Sequence, residues 1–280
     1  MNFPRPPTSF FHPCIAAAIV IGLCDSARAD GVANAPQPAV FAQPERTIAE
    51  EAAVLEKGRL SAKQRSFARL ATHPEPAADD LLRAQFERYR SHDLPPALWL
   101  DLFEAMAKRG TAEFKALLAE REERLAKSPD PLRRFEECLE GGDGEQGRAI
   151  FEKKPEAGCI RCHSMDGKGG QIGPELTWLR HNTERAHILE SVILPNATVA
   201  TGFDSVALKM KSGETVAGVV RGESAVEITL ASFADGKRTT VKLAKVVERT
   251  PLPSPMPPAF GQVLSKRVIR DLVQFIADGD

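Results

Sequence analysis

Cys159-Ile160-Arg161-Cys162-His163 is the stretch of this 280-residue chain whose residue types and spacing point to chemistry. Two thiols one helical turn apart can reach the two vinyl groups of a haem and form thioethers, and the adjoining histidine is then pinned beneath the iron. Two other chemistries use a C-x-x-C pair. A zinc half-site needs a second Cys or His pair at suitable spacing, and a thioredoxin-like disulfide needs a preceding strand in a βαβ setting. The surrounding sequence offers neither, and His163 separates the motif from a bare redox pair. The expected cofactor is one covalently bound haem c, attached at Cys159 and Cys162 with His163 as iron ligand.

Other residues of the same chemical types have plainer readings. Met210 falls on an alternating strand pattern and reads as sheet core, and Met165 is too close in sequence to His163 to reach the far face of a haem. His181 and His187 offer a bis-histidine alternative, but they lie in a polar helix-like stretch where a solvated histidine is the commoner outcome. Trp178 reads either as a haem-edge or propionate contact or as a packed core indole. His73 and His92 sit beside proline-containing connections and read as exposed turn residues.

The elements that must position the motif come in blocks. Arg5, the apolar run Phe10 to Leu23 and Ala27-Arg28-Ala29 form a secretory signal pattern over residues 1–29, followed by a Pro- and Ala-rich linker at 30–44. The run is too short for a comfortable membrane span, Leu23 argues against lipidation at Cys24, and no later segment is apolar enough to cross a bilayer. The expected location is therefore periplasmic or otherwise exported. Cys14 and Cys24 leave with the signal, so the mature chain keeps Cys138, Cys159 and Cys162. An odd count in an oxidising compartment commits the close pair to something other than an ordinary disulfide and leaves Cys138 as a lone, partly buried thiol on a helix.

Residues 45–140 read as short successive helices. Thr47 with Glu50 and Ser61 with Gln64 fit capping boxes, and Gly58 and Gly110 close two of the runs. Leu81, Leu82, Phe86 and Tyr89 form one apolar stripe, Leu98, Leu102, Phe103 and Met106 another, and Phe114, Leu117 and Leu118 a third. This pattern predicts a helical array of the HEAT kind without catalytic residues. From 204 to 249 the period changes to two, with five short runs separated by turn residues, which predicts a small SH3-like or Sm-like β-barrel. Ser265 then caps a final amphipathic helix carrying Val268, Leu272, Phe275 and Ile276. The predicted class is α+β.

Beyond the haem motif, residues 141–280 resemble a class I cytochrome c domain. Gly147 to Phe151 is similar to that family's N-terminal helix, which crosses the C-terminal helix closely, here near Leu272 and Phe275. Gly173-Pro174-Glu175-Leu176 is similar to the family's post-haem turn, and the resemblance implies that the Pro174 carbonyl accepts a hydrogen bond from the His163 Nδ1. It implies Met256, in Met256-Pro257, as the sixth ligand, and Pro174 and Leu176 as haem-site residues. The segments 167–174, Ile193 to Asn196 and Met256 to Pro258, with the barrel inserted between haem motif and methionine, resemble the haem-binding C-terminal domain found in Planctomycetes and Verrucomicrobia.

In that family the domain often follows a helical-repeat region and a propeller similar to sugar dehydrogenases. This chain has no propeller sequence, so the expectation is an electron-transfer protein rather than an enzyme. Its redox partner is expected on another chain, with a periplasmic dehydrogenase as the leading kind, and residues 45–140 are the expected docking region, removable without disturbing the haem. The alternative is a haem-based gas sensor or ligand-binding module in which Met256 is displaced. With 37 basic and 38 acidic residues the formal net charge is −1, which gives no general attraction for nucleic acid or an anionic membrane.

Overall fold

A computed structural model describes residues 46–279; the expected signal at 1–29 and linker at 30–44 lie outside the described residues. Half of the described residues are helical and 15% are strand, a mixed α+β structure with an N-terminal helical region and a small sheet. The helical region holds α1 (Ile48–Lys57), α2 (Leu60–Leu70), α3 (Ala77–Arg90), α4 (Trp99–Arg109) and α5 (Ala112–Ala126). Short 3-10 turns at Pro96–Leu98 and Pro131–Cys138 flank α4 and follow α5.

Thr47 and Glu50 form the reciprocal capping box, and Gly110 ends α4 in the left-handed region at φ 64°. Ser61 and Gln64 do not. Helix α2 starts two residues earlier than their box requires, with Arg59 at the cap, and the Gln64 amide donates instead to the Gly141 carbonyl at 2.7 Å. A distant acceptor has outcompeted the local cap. The three apolar stripes meet in one core around Phe67, Leu82, Leu102, Met106 and Phe114, where Tyr89 packs edge-on against Trp99 and Phe103. His92 is an exposed turn residue, as its neighbouring prolines implied, but His73 is buried. Its Nε2 bonds to the Arg46 carbonyl at 2.9 Å and its Nδ1 accepts from the Glu75 amide at 3.3 Å, so both ring nitrogens are satisfied inside the fold.

The second core is built around two helices distant in sequence, α6 (Gly144–Lys153) and the C-terminal helix α10 (Lys266–Asp278). A Cβ on Gly147 would collide with the Asp271 carbonyl oxygen and come within 2.6 Å of the Phe275 Cβ, so only glycine permits this crossing. One turn on, Phe151 lies against Phe275 with ring centroids 5.7 Å apart. Between the two helices in sequence lie α7 (Cys159–Cys162), the two-residue hairpin strands β1 (Ser164–Met165) and β2 (Lys168–Gly169), a 3-10 turn at Thr177–Leu179, and α8 (Arg185–Ile193). The short helix α9 (Phe260–Val263) precedes α10.

The five alternating runs form β3 (Ser205–Met210), β4 (Thr215–Glu223), β5 (Glu227–Ala231), β6 (Arg238–Lys242) and β7 (Val246–Leu252), with a 3-10 turn at Leu243–Lys245. They make one antiparallel sheet in the order β6-β5-β4-β3-β7. Among the described residues no ladder joins β6 to β7, so the observed object is a five-stranded sheet. Met210 packs beside its core residues Val206, Leu208, Ile228, Leu230 and Val241. Val219 and Ala231 point to the opposite face and close over Ile172.

Buried ion pairs join the helical region to α10. Asp101 of α4 bonds to Arg270 at 2.7 Å, with both side chains under 5% exposed, and also takes Arg267 at 3.0 Å. Glu137 bridges Arg121 of α5 and Lys266 of α10 at 2.8 and 2.7 Å. Cys138 is fully buried at this junction, beyond the partial burial expected of it; burial pushes its thiol up to about 12. These contacts run against a removable helical region, because its deletion would strand Arg270 without its carboxylate. Asp101→Ala should therefore cost about 3–5 kcal/mol, the penalty for orphaning one partner of a buried pair. Chemical denaturation measures this, and a midpoint unchanged from the parent protein would contradict it.

Candidate functional site

Helix α7 is a single turn with Cys159 and Cys162 at its two ends, and His163 leaves it in an extended conformation with its amide donating to the Cys159 carbonyl at 2.9 Å. The chain then reverses through Asp166 and Gly167, both at positive φ (52° and 75°), the requirement of a tight type I′ hairpin turn. That turn sends residues 168–174 back beneath α7. Two amides stitch them there: Gly170 donates to the Ile160 carbonyl at 2.8 Å and Gly173 to the Cys162 carbonyl at 2.7 Å.

Gly173 lies flat against the imidazole. A Cβ there would sit 2.5 Å from the His163 Cε1, so a larger residue would displace the ring. The His163 Nδ1 lies 2.9 Å from the Pro174 carbonyl oxygen, an acceptor only, which makes Nδ1–H the donor and leaves the Nε2 lone pair free. Burial holds the His163 pKa below its ordinary value, outweighing the opposite effect of the Pro174 hydrogen bond, and keeps the ring neutral.

His163, Cys159, Pro174, Leu176 and Met256 line one cavity enclosing about 980 Å3 of space, part of it open to solvent. Its remaining wall is mainly apolar, drawn from α8, α9 and α10 with Ile188, Val192, Phe260, Leu272 and Ile276. The structure thus brings together five of the six residues singled out from the sequence. Cys162 turns toward Ile172, Val219 and Ala231 on the other side of the loop. Met256 is half-buried, its amide donates to the Ser254 Oγ at 3.2 Å, and the Ser254 amide donates to the Asn196 Oδ1 at 2.8 Å, so the loop bearing the thioether is anchored to the chain after α8.

His187 also lines this cavity, although its side chain is half exposed and its Nδ1 lies 3.6 Å from Glu190. His181 is an exposed turn residue at φ 60°. Trp178 is 68% exposed, so it is not a core indole, and it does not line the cavity. Met165 is buried in the core around α10. The Asp166-Gly167 turn that positions the histidine loop escaped the sequence reading, although an Asp-Gly pair is a strong hairpin signal.

An imidazole nitrogen, a thioether and a thiol facing an apolar cavity are borderline-to-soft donors, suited to a transition metal rather than magnesium or calcium. Burial pushes the Cys159 thiol up to about 11 and raises Cys162 as well, the opposite of the lowered pKa that activates redox C-x-x-C pairs. Among the described residues no three His, Cys, Asp or Glu side chains converge as a metal cluster, so the zinc reading finds no second half there. Helix α6, not a strand, precedes the motif. No protein-family model matches the chain, and no curated protein matches it in sequence.

In the metal-free chain the His163 Cε1–H resonance should titrate below about 6.5, its ordinary midpoint. Because the folded-state pKa is depressed, the stability tied to the neutral ring is present above the unfolded value and is lost as pH falls through the folded one. An NMR midpoint at or above the ordinary value would contradict this assignment.

Proposed function

We propose that this chain is an exported monohaem c-type cytochrome that transfers electrons, with haem c attached at Cys159 and Cys162. In this reading residues 141–280 are a class I cytochrome c domain like the one in Planctomycetes and Verrucomicrobia, the sheet is an inserted SH3-like or Sm-like barrel, and residues 45–140 are a HEAT-like array. The observation that carries the proposal is the His163–Pro174 hydrogen bond at the wall of a cavity that Cys159 and Met256 also line. The Gly147 crossing and the strand order, a four-strand meander whose fifth strand returns beside the first, support the fold assignment.

The residues present fit the group. The walls are apolar enough for a porphyrin, a thiol stands on the wall, and the motif histidine lines the cavity with its Nδ1 committed to Pro174, which leaves Nε2 as its ligating atom. When bound, haem supplies a ferric/ferrous couple. The protein's part is to hold its ligands still. His163 stays neutral through burial, and its Nδ1–H bond to Pro174 fixes the ring and strengthens Nε2 as a donor. Met256 brings a soft sulfur that favours the reduced state, on a loop whose backbone is restricted by Pro253, Pro255, Pro257 and Pro258.

His163 and Met256 would both ligate the iron, which would leave no site for a substrate and suits a carrier rather than an enzyme. The N-terminal signal pattern supports export, and the electron donor and acceptor are proteins on other chains, a dehydrogenase among them. Among the described residues no helix is long and apolar enough to cross a membrane.

The test is optical. The matured ferric protein should show a weak long-wavelength sulfur-to-iron charge-transfer band, and Met256→Ala should abolish it while opening the ferrous protein to carbon monoxide. Rapid carbon monoxide binding by the unmutated protein would favour the gas-sensor alternative. A band absent from the parent, with low-spin haem lost in His187→Ala, would make His187 the sixth ligand.

A further inference from the structure

The sheet touches the histidine loop through one side chain that its local sequence does not explain. Arg221 sits at an irregularity in β4: Val220 pairs with Leu230 and Gly222 with Thr229, so Arg221 is the extra residue of a β-bulge and opposes nothing on β5. Bulges redirect side chains. Here the guanidinium is turned onto the backbone of the loop, where its Nη2 donates to the carbonyls of Gln171 and Ile172, the latter at 3.1 Å. Its Nη1 approaches the Gly202 carbonyl at 3.5 Å, and its Cζ lies 4.1 Å from the Phe203 ring centroid.

Among the described residues Arg221 pairs with no carboxylate, and its Nε is buried without a partner. A half-buried cation satisfied only by loop carbonyls is a costly arrangement for stability alone, since burying charge is favourable only with full compensation. Its placement gives it another use. Ile172 is 5% exposed and plugs the face of the sheet formed by Val219 and Ala231, where Cys162 also packs. The next residue, Gly173, carries the His163 ring on its open side, and the next carbonyl, that of Pro174, takes the Nδ1 hydrogen.

We propose that Arg221 is a positioning residue: by clamping the Gln171 and Ile172 carbonyls it sets the height of the Pro174 carbonyl under His163, so the sheet tunes the donor strength of the proximal ligand. The redox consequence rests on the haem reading above; the clamp itself does not. Relaxing it weakens the Nδ1–H bond, lowers the donor strength of Nε2 and destabilises the ferric state relative to the ferrous.

The test uses the full-length, matured protein. In Arg221→Met the amides of Gly170 and Gly173 should exchange hydrogen about tenfold to a hundredfold faster, the loss expected for a hydrogen bond to a charged group, while the β3–β4 ladder amides keep their protection. Arg221→Lys keeps the charge but not the fork, and its midpoint potential should rise above the parent's. Arg249→Met, which removes an exposed cation of the same sheet paired to Glu223, should change neither. Parent-like Gly173 exchange in Arg221→Met, or a potential in Arg221→Lys that does not rise, overturns the proposal. If Arg221→Met does not fold, the exchange comparison is made on Arg221→Lys, and a parent-like rate there overturns it equally. A parent chain without haem defeats the cytochrome reading instead, and the exchange comparison then decides the clamp by itself.

Discussion

At the crossing of α6 and α10 the backbone of Gly147 rests against the Asp271 carbonyl and the Phe275 side chain, with no room for a single added carbon. That contact seats α10, and α10 serves each neighbour from a different face. Phe275 packs on Phe151, Leu272 and Ile276 turn to the cavity, and Arg270, Arg267 and Lys266 turn to the carboxylates of Asp101, Glu104 and Glu137. The Asp271 carboxylate accepts from the Asp143 amide at 2.9 Å, which ties the start of α6 to the same helix. A shift of α10 would thus move the cavity wall and break buried ion pairs together. In a closely packed interior such motion is resisted by every contact at once.

The same economy of space recurs under the histidine. Gly173 takes the ring against its backbone, the adjacent carbonyl takes Nδ1–H, and the amide of Gly173 is itself held by Cys162, one residue before the histidine. The imidazole is therefore oriented by a loop whose ends are bonded to the helix it follows. Burial disfavours the charged forms, lowering the His163 pKa and raising those of both motif thiols. A neutral imidazole facing an apolar cavity is prepared to bind a metal without first losing a proton from the ring.

Much of this was legible in the sequence because it is written in local patterns. The C-x-x-C-H spacing, the period-two alternation from Val206 onward and the Thr47 cap depend on neighbours a few residues away. What the sequence hid depends on distant partners. Gln64 reads as a capping residue until Gly141, 77 positions later, supplies a better acceptor. His73 reads as a solvent-facing turn residue until the Arg46 carbonyl, 27 positions earlier, closes over it. Arg221 is turned by a bulge, which period-two alternation does not announce. His187 reads as a solvated helix position, and only the arrangement of α8 beside the cavity brings it near the candidate ligands.

The central claim is that the two motif cysteines carry one haem between them, and peptide mapping of protein matured in a host that attaches haem to exported chains tests it most directly. The proteolytic peptide containing residues 159–163 should bear a single haem linked through both sulfurs. The same peptide recovered unmodified, or with Cys159 and Cys162 joined as a disulfide, would contradict it.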